Sequence, residues 1–151
     1  MHRLYLNERL EHELSAYFKQ AFNSDLIVNR LGGTHVYLHI GERPEKEGNE
    51  DRLSFGYNQK IKNLPLLQSQ GDGMRSFASI TLELISSSNS ILFIDEPEAF
   101  LHPPQARLLG KLIGKLFDQR QIFISTHSSD FIKGILESNS ETVKIIRINR
   151  E

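Results

Sequence analysis

The sequence predicts an α/β fold in which a parallel sheet is flanked by helices. From residue 74 onward, segments with helical apolar spacing alternate with short apolar runs, in the order helix, strand, helix, strand, helix, strand. Two of these runs, Ile91–Ile94 and Ile122–Ser125, contain no charged residue. Short uncharged runs are typical of strands buried on both faces of a parallel sheet.

The N-terminal third predicts a helix followed by a β-hairpin. Between residues 4 and 23, apolar side chains recur every four residues, which is the spacing of an amphipathic helix. Two β-rich runs follow, Asp25–Leu31 and Thr34–Ile40, and the glycine pair Gly32–Gly33 between them favours a two-residue hairpin turn. We therefore expect an α+β element ahead of the α/β layer.

The middle of the chain is expected to hold an exposed loop, a short strand and a helix. Residues 41–52 are almost all polar and predict the loop, and the run Leu53–Tyr57 predicts the strand. A glycine-bearing polar loop then leads into a helix over residues 74–86. The remaining predicted elements are a strand at 91–94, a helix from Pro103 to about Asp118, a strand at 122–125, a short helix through Leu136 and a final strand, Val143–Ile148.

Length and composition indicate one soluble globular domain. The chain has 151 residues and a net charge of −1, so its bulk charge predicts neither nucleic acid nor acidic membranes as partners, although a local DNA-binding patch stays possible. Cysteine is absent, which excludes disulfides, thiolate zinc sites and cysteine nucleophiles. No apolar run approaches the ~20 residues of a membrane span, and no signal-peptide pattern is present. We expect a cytoplasmic protein with no membrane partner.

The adjacent carboxylates Asp95 and Glu96 are the strongest candidates for chemistry. They follow the apolar run Ile91–Ile94, and Pro97 prevents the strand from continuing. Open α/β sheets bind ligands at the carboxyl ends of their strands. Asp95 could there hold Mg²⁺, which prefers oxygen ligands, and Glu96 could act as a general base on water. An acidic pair can also simply end a strand.

A glycine-bearing loop precedes the helix predicted over residues 74–86. It contains Gly71, Asp72, Gly73, Met74 and Arg75. Glycines let a backbone approach closely, and free N–H groups at a helix start attract phosphate, so this loop is a candidate nucleotide contact. An ordinary glycine turn at a helix start is the alternative.

His127 is the histidine with the most suggestive position, because it follows the apolar run that ends at Ser125. An imidazole there could contact a phosphate, or it could cap the next helix beside Ser128. A nucleophilic triad of Ser125, His127 and Asp130 is disfavoured because no Gly-x-Ser-x-Gly pattern occurs. His35 and His39 could share a strand face, but no third metal ligand is evident, and we expect both to be surface or hairpin residues.

These segments resemble motifs of the ATP-binding-cassette (ABC) ATPases. Ile91–Pro97 resembles their Walker B motif. Glu98–Pro103 resembles the D-loop of the overcoming-lysogenisation-defect (OLD) family, which includes several bacteriophage-defence ATPases. The resemblance implies a P-loop NTPase-type sheet in which Asp95 binds Mg²⁺, Glu96 activates water and His127 is the switch histidine that senses the γ-phosphate of ATP.

The same resemblance implies that residues 71–76 form a signature loop, which contacts the nucleotide bound by the opposite subunit. Arg75 would add positive charge to that nucleotide in trans. Cassette transporters place a serine ahead of the paired glycines, whereas the nearest serine here, Ser69, lies two residues before Gly71. The γ-phosphate contact of that serine is therefore not implied for this chain.

The Walker A pattern Gly-x-x-x-x-Gly-Lys-Ser/Thr does not occur in the sequence. The chain thus resembles the C-terminal half of an OLD-like ATPase, a single partial domain over 1–151 with a helix and hairpin element at 1–57 and the signature helix to final strand at 58–151. In the family, the P-loop strand lies between the histidine-bearing strand and the next one. Here those two strands either pair directly or leave an unpaired apolar edge.

Two functional interpretations follow. In the first, the chain is an ATPase component that uses Mg²⁺ with ATP, is inactive alone and needs a P-loop in trans. Its partner would be a separately encoded P-loop half, a second copy of the chain or a full-length ATPase, with DNA contacted through the complex. In the second, the chain is a non-catalytic truncated ATPase that serves as an interaction module for a full-length ATPase or its effector.

Overall fold

The computed structural model describes residues 2–32, 35–115, 120–138 and 141–149. The chain divides into two compact units, Met1–Ser87 and Ser88–Glu151. The first unit contains α1 (His2–Leu6), α2 (Glu8–Phe22), β1 (Asp25–Asn29), β2 (Tyr37–Gly41), α3 (Phe55–Lys62), a 3₁₀ turn (Leu67–Ser69) and α4 (Asp72–Ser86). The second contains β3 (Ile91–Asp95), α5 (Pro103–Lys115), β4 (Gln121–Ser125) and α6 (Ser129–Ser138).

The amphipathic N-terminal segment forms two helices, and the longer one supports α4. The Asn7 side chain accepts a hydrogen bond from the Leu10 N–H at 3.1 Å and so caps the start of α2. Near the end of α2, the ring of Phe22 meets that of Phe77 of α4 edge-on, with their centroids 5.4 Å apart. Phe18 is fully buried beside them. These contacts position α4, whose first residues belong to the glycine-bearing loop.

A buried ion pair lies between α2 and the hairpin. The carboxylate of Glu11 bonds the guanidinium of Arg30, and both residues are buried. Glu11 also accepts hydrogen bonds from the Val28 N–H and from Arg43, each at 3.1 Å. This polar centre satisfies a backbone donor of β1, and the helical apolar pattern of α2 gave no sign of it.

The hairpin is confirmed, but its predicted two-residue turn is wrong. β1 and β2 pair antiparallel, with Asn29 opposite Tyr37, so residues 30–36 make the connection. Gly33 and Thr34 lie outside the described residues. His39 lies in the hairpin, one of the two placements expected for it, and is buried in β2, where its Nδ1 lies 2.8 Å from the Leu64 carbonyl oxygen.

The strand predicted at Leu53–Tyr57 is wrong, because this segment begins α3. The Asn58 side chain accepts a hydrogen bond from the Arg30 N–H at 3.1 Å and donates to the Arg52 carbonyl at 2.8 Å. Tyr57 and Ile61, four residues apart, are buried on one face of the helix. The helical spacing of this buried face prevails over the β-rich composition.

The second unit holds the parallel pair of strands. β3 and β4 are in parallel register, with Asp95 opposite Ser125. In the described residues they form a two-stranded sheet. The prediction that these strands are buried on both faces is wrong: Leu92 is buried, but Phe93 is 79% exposed and stacks on Phe123, with ring centroids 4.9 Å apart.

Glycines allow α5 and α6 to pack closely. A Cβ atom on Gly134 of α6 would overlap the carbonyl oxygen of Arg107, and one on Gly114 of α5 would lie 2.9 Å from the Ile135 oxygen. Both helices lie where they were predicted, although residues 116–119 are outside the described ranges. The predicted final strand Val143–Ile148 is wrong: this segment forms no strand, and Ile148 is 90% exposed.

None of the helices in the described ranges combines the length and apolar character needed to cross a bilayer.

Candidate functional site

Asp95 and Glu96 lie at the carboxyl end of β3, as predicted. Asp95 is the last residue of the strand, and its carboxylate accepts a hydrogen bond from the hydroxyl of Ser125 on β4. The backbone N–H of Glu96 donates to the Ser125 carbonyl at 2.9 Å, so the parallel ladder continues one residue past the strand. The strand ends hold both carboxylates at the same edge of the sheet.

Glu96 adopts a backbone conformation that is unusual for a residue with a side chain. Its φ is +41°, in the left-handed region, and the carbonyl of Glu96 accepts a hydrogen bond from the Ala99 N–H at 2.9 Å. For an L-residue this conformation costs about 1–2 kcal/mol. Such strain persists where surrounding contacts fix the chain, and it clusters at functional sites. The turn reverses the chain immediately after the second carboxylate.

The structure brings His127 to Glu96. The imidazole Nδ1 lies 3.1 Å from a carboxylate oxygen of Glu96 and 3.9 Å from one of Glu98. Carboxylate oxygens near Nδ1 favour the tautomer with the hydrogen on that nitrogen, in which Nε2 faces outward as a hydrogen-bond acceptor. The His127 and Glu96 side chains are 77% and 53% exposed, respectively. A carboxylate and an imidazole in contact at an accessible sheet edge can move and orient the protons of a bound water.

Glu98 is the site residue that sequence reasoning missed. It is only 6% exposed, and one of its oxygens accepts a hydrogen bond from the Thr126 hydroxyl at 2.5 Å. Its other oxygen, Oε2, is buried and has no hydrogen-bond partner among the described residues. The only signal in the sequence was its place two residues after Glu96, in the segment that resembles a D-loop.

The glycine-bearing loop lies in the first unit, at the start of α4. Gly71 occupies the N-cap position, where no side chain caps the first turn, and Asp72 and Gly73 begin the helix. The Arg75 guanidinium forms an ion pair with Asp72 of the same turn. Met74 is half-buried beside it. The loop thus keeps the uncapped helix start that was predicted, while its arginine contacts an aspartate of its own chain.

The donor set around Asp95 suits a metal ion held only in part by protein. No group of three histidine, aspartate or glutamate side chains in the described ranges could hold a metal ion. The Asp95 carboxylate is exposed and lies beside the Ser125 hydroxyl, so both donors are oxygens. Mg²⁺ is usually bound through one or two carboxylates, with waters and substrate phosphates completing its shell. Asp95 fits such a site.

A family comparison identifies the kind of domain. The AAA ATPase domain model matches residues 8–132, which is most of the chain. The chain belongs to the AAA ATPase domain family. The matched range of this AAA ATPase domain includes Asp95, Glu96, Glu98 and His127, as well as the loop at 71–75.

Solved structures similar to this AAA ATPase domain have the same α/β fold. One SMC ATPase structure, described with ATP-driven dimerization and DNA-stimulated activation, superposes with a TM-score of 0.58 at 12% identity, over 87% of this chain and 74% of that one. The Smc head domain of Pyrococcus furiosus, bound to the C-terminal domain of ScpA, gives a TM-score of 0.60 at 10% identity, over 84% of this chain and 30% of that one. The predicted P-loop NTPase-type fold class is confirmed.

A curated relative of the AAA ATPase domain is much longer than this chain. Protein ea59 of Escherichia phage lambda is 26% identical over 113 residues, which cover 69% of this chain and 22% of that protein. The chain therefore spans about a fifth of that relative's length.

Proposed function

We propose that this AAA ATPase domain is the C-terminal portion of an ABC- or OLD-like ATPase and supplies the hydrolytic residues for Mg-ATP. The observation that carries this proposal is the contact between Glu96 and His127, 3.1 Å apart at the ends of two adjacent parallel strands, next to Asp95. A metal-binding carboxylate, a general base and an imidazole at one sheet edge suit hydrolysis of a phosphoanhydride, in which positioning and charge stabilisation supply most of the catalysis.

Each residue then has a separate task. Glu96 accepts a proton from the attacking water, and His127 donates from Nδ1 to keep that carboxylate in place. In this tautomer Nε2 is a hydrogen-bond acceptor and would orient a water beside the γ-phosphate, whereas the imidazolium form would donate from Nε2 to a γ-phosphate oxygen. Asp95, ordered by the Ser125 hydroxyl, would hold Mg²⁺. The ion, when bound with ATP, neutralises charge that develops on the phosphates.

The loop at 71–75 would act on a second nucleotide, bound by the opposite subunit. Its support is the uncapped first turn of α4, whose backbone N–H groups suit an anionic phosphate. For Arg75 to contact that nucleotide, its guanidinium must leave Asp72, so the ion pair would exchange for a phosphate contact. The similar SMC structure, described with ATP-driven dimerization, supports a comparable association here.

The P-loop would come from outside these 151 residues. The Walker A pattern is absent from the sequence, and in the described ranges β3 and β4 form only a two-stranded sheet. Phe93 and Phe123 remain exposed on that sheet, which is consistent with further strands and helices covering it in the assembled ATPase. A separately encoded half, a second copy or a full-length ATPase could supply them.

The biological setting belongs to the same proposal. The OLD-like motif at residues 98–103 favours a phage-defence or DNA-processing system, and the SMC structure described with DNA-stimulated activation supports contact with DNA through the complex. The net charge of −1 makes DNA binding by this chain alone a weaker expectation than binding by the assembly.

Hydrolysis assays test the proposed activity. We expect the chain alone to release almost no phosphate from Mg-ATP, and turnover to appear on mixing it with its P-loop-bearing partner. Glu96→Gln should lower that turnover by about 10²–10⁴-fold because the general base is lost. Glu42→Gln, which neutralises an exposed carboxylate in the first unit, is the matched control and should leave turnover unchanged. Rapid turnover by the chain alone, insensitive to Glu96→Gln, would refute the proposal.

The exposed aromatic pair also favours the second function, a non-catalytic interaction module. An apolar surface at the centre of an interface contributes to binding whether or not the complex hydrolyses ATP. Phe93→Ser should weaken association with a full-length ATPase in either case. Only the catalytic function predicts that Glu96→Gln lowers turnover strongly while association persists.

A further inference from the structure

A buried carboxylate lies next to the exposed pair of Glu96 and His127. Glu98 is 6% exposed, and its Oε1 accepts a hydrogen bond from the Thr126 hydroxyl at 2.5 Å. Burial of a carboxylate is costly unless the group is hydrogen-bonded, so this contact constrains both residues strongly. Glu98 has no role in the hydrolysis proposed above, although its Oε1 lies 3.9 Å from Nδ1 of His127.

The Thr126 hydroxyl also orders the loop that carries His127, because it bonds both Glu98 and the backbone of Ser128. Its oxygen accepts a hydrogen bond from the Ser128 N–H at 3.1 Å. The Ser128 hydroxyl in turn accepts from the Phe131 N–H at 3.2 Å and so caps the first turn of α6. The residues on both sides of His127 are therefore held in one continuous series of hydrogen bonds that starts at Glu98.

Glu98 also acts on the imidazole directly. The oxygen that accepts from Thr126 lies 3.9 Å from Nδ1 of His127, while the Glu96 oxygen lies 3.1 Å from the same atom. The pair of carboxylates favours a hydrogen on Nδ1, because a lone pair there would face two anionic oxygens. Glu98 thus helps to fix the position of the His127 ring and favours the tautomer in which Nε2 faces outward.

We infer that Glu98 is a positioning residue for His127. Its carboxylate fixes the loop Thr126–Ser128 and keeps the hydrogen of His127 on Nδ1, so that Nε2 is presented to a ligand at the sheet edge. The catalytic consequence of this role rests on the proposed function, whereas its structural part does not. Glu98 need not touch the nucleotide to act in this way.

Nuclear magnetic resonance of the full ¹⁵N-labelled chain tests the inference. Long-range ¹H–¹⁵N correlations show which imidazole nitrogen carries the hydrogen, and His127→Ala assigns the signals of this ring. In the wild type we expect the hydrogen on Nδ1 and slow amide exchange at Ser128. Glu98→Ala should shift the His127 nitrogen signals and speed Ser128 exchange by about tenfold or more, because the hydrogen bond that orders the Thr126 hydroxyl is lost.

Two substitutions at Thr126 provide a matched pair. Thr126→Val keeps the shape of the side chain but removes the hydroxyl, so it should reproduce both effects of Glu98→Ala. Thr126→Ser keeps the hydroxyl and should retain the wild-type signals. If Glu98→Ala fails to fold, Thr126→Val decides. Unchanged His127 and Ser128 signals in folded Glu98→Ala, or in Thr126→Val, would overturn the inference.

Hydrolysis by the assembled ATPase separates this inference from the proposed function. If Glu96→Gln leaves turnover unchanged, the proposed function fails, but the resonance measurements still decide the role of Glu98. If both hold, Glu98→Gln should lower turnover with the affinity for Mg-ATP unchanged, because only the placement of His127 is altered. A loss confined to affinity would contradict the positioning role.

Discussion

The buried ion pair between α2 and the hairpin gives the sharpest stability prediction. Glu11→Ala removes the carboxylate that bonds the Arg30 guanidinium and accepts the Val28 N–H. Among the described residues, Arg30 would keep only carbonyl contacts, from its Nε to the Tyr5 oxygen at 3.3 Å and from Nη1 to the Val28 oxygen at 3.5 Å. The substitution therefore leaves a buried charge without its counter-ion.

The expected loss follows from the burial of both partners. The side chains of Glu11 and Arg30 are each 3% exposed. Removing one partner of such a pair costs about 3–5 kcal/mol in the free energy of unfolding, since the remaining charge stays desolvated. Glu11→Gln should cost less, because its amide oxygen can still accept the Val28 N–H. The matched control is Glu8→Ala: this exposed acid contacts Arg52 at 3.7 Å, and its loss should cost less than about 1 kcal/mol.

Tyrosine fluorescence can follow the first unit alone. The chain has no tryptophan, and its four tyrosines, at positions 5, 17, 37 and 57, all lie in Met1–Ser87. Urea titrations of the wild type, Glu11→Ala, Glu11→Gln and Glu8→Ala by this signal would give the change in unfolding free energy. If Glu11→Ala lowers the free energy of unfolding by less than about 1 kcal/mol, no more than Glu8→Ala does, then Arg30 does not depend on Glu11 as a buried counter-ion and the prediction is refuted.

Three further predictions concern both units. Gly134→Ala should destabilise the second unit by about 1–3 kcal/mol, measured by circular dichroism, because its Cβ would overlap the Arg107 carbonyl. Hydrogen bonds from Arg107 and Lys111 lower the pKa of Glu137 from 4.5 to about 2, so their stabilisation is present above pH 4.5 and disappears as pH falls towards 2. Acid titration should show that Glu137→Gln lacks this pH-dependent loss. Asn58→Ala should lower the free energy of unfolding by about 2 kcal/mol, because it leaves the buried backbone N–H of Arg30 unsatisfied. Urea titration followed by tyrosine fluorescence would measure this loss.

The candidate site was partly predictable because it depends on strand ends. Two apolar runs in parallel register place the residues that follow them at one edge, so Asp95, Glu96 and His127 could be grouped from the sequence. Glu98 could not be found in this way. Its burial depends on the left-handed turn at Glu96, and an acidic residue in a polar string gives no sign that the chain will turn it inward.

The incorrect elements have a common physical origin in contacts distant along the chain. Leu53–Tyr57 has a β-rich composition, yet Asn58 bonds the Arg30 N–H from a helical position. Val143–Ile148 has the composition of a strand but forms none, because strand formation needs a neighbouring edge to pair its backbone groups. Burial on both faces was predicted for two strands, Ile91–Ile94 and Ile122–Ser125, because uncharged runs are typical of the centre of a large parallel sheet. The described residues form a sheet of two strands, which leaves part of each strand exposed.

The division of the chain after Ser87 has an evolutionary consequence. The glycine-bearing loop belongs to the compact unit that ends there, and the two carboxylates, Glu98 and His127 all belong to the unit that begins at Ser88. Recombination between related genes at this joint would exchange one set of residues while leaving the internal contacts of the other intact. A chimaera joined at Ser87–Ser88 would thus combine the glycine-bearing loop of one protein with the candidate hydrolytic residues of another.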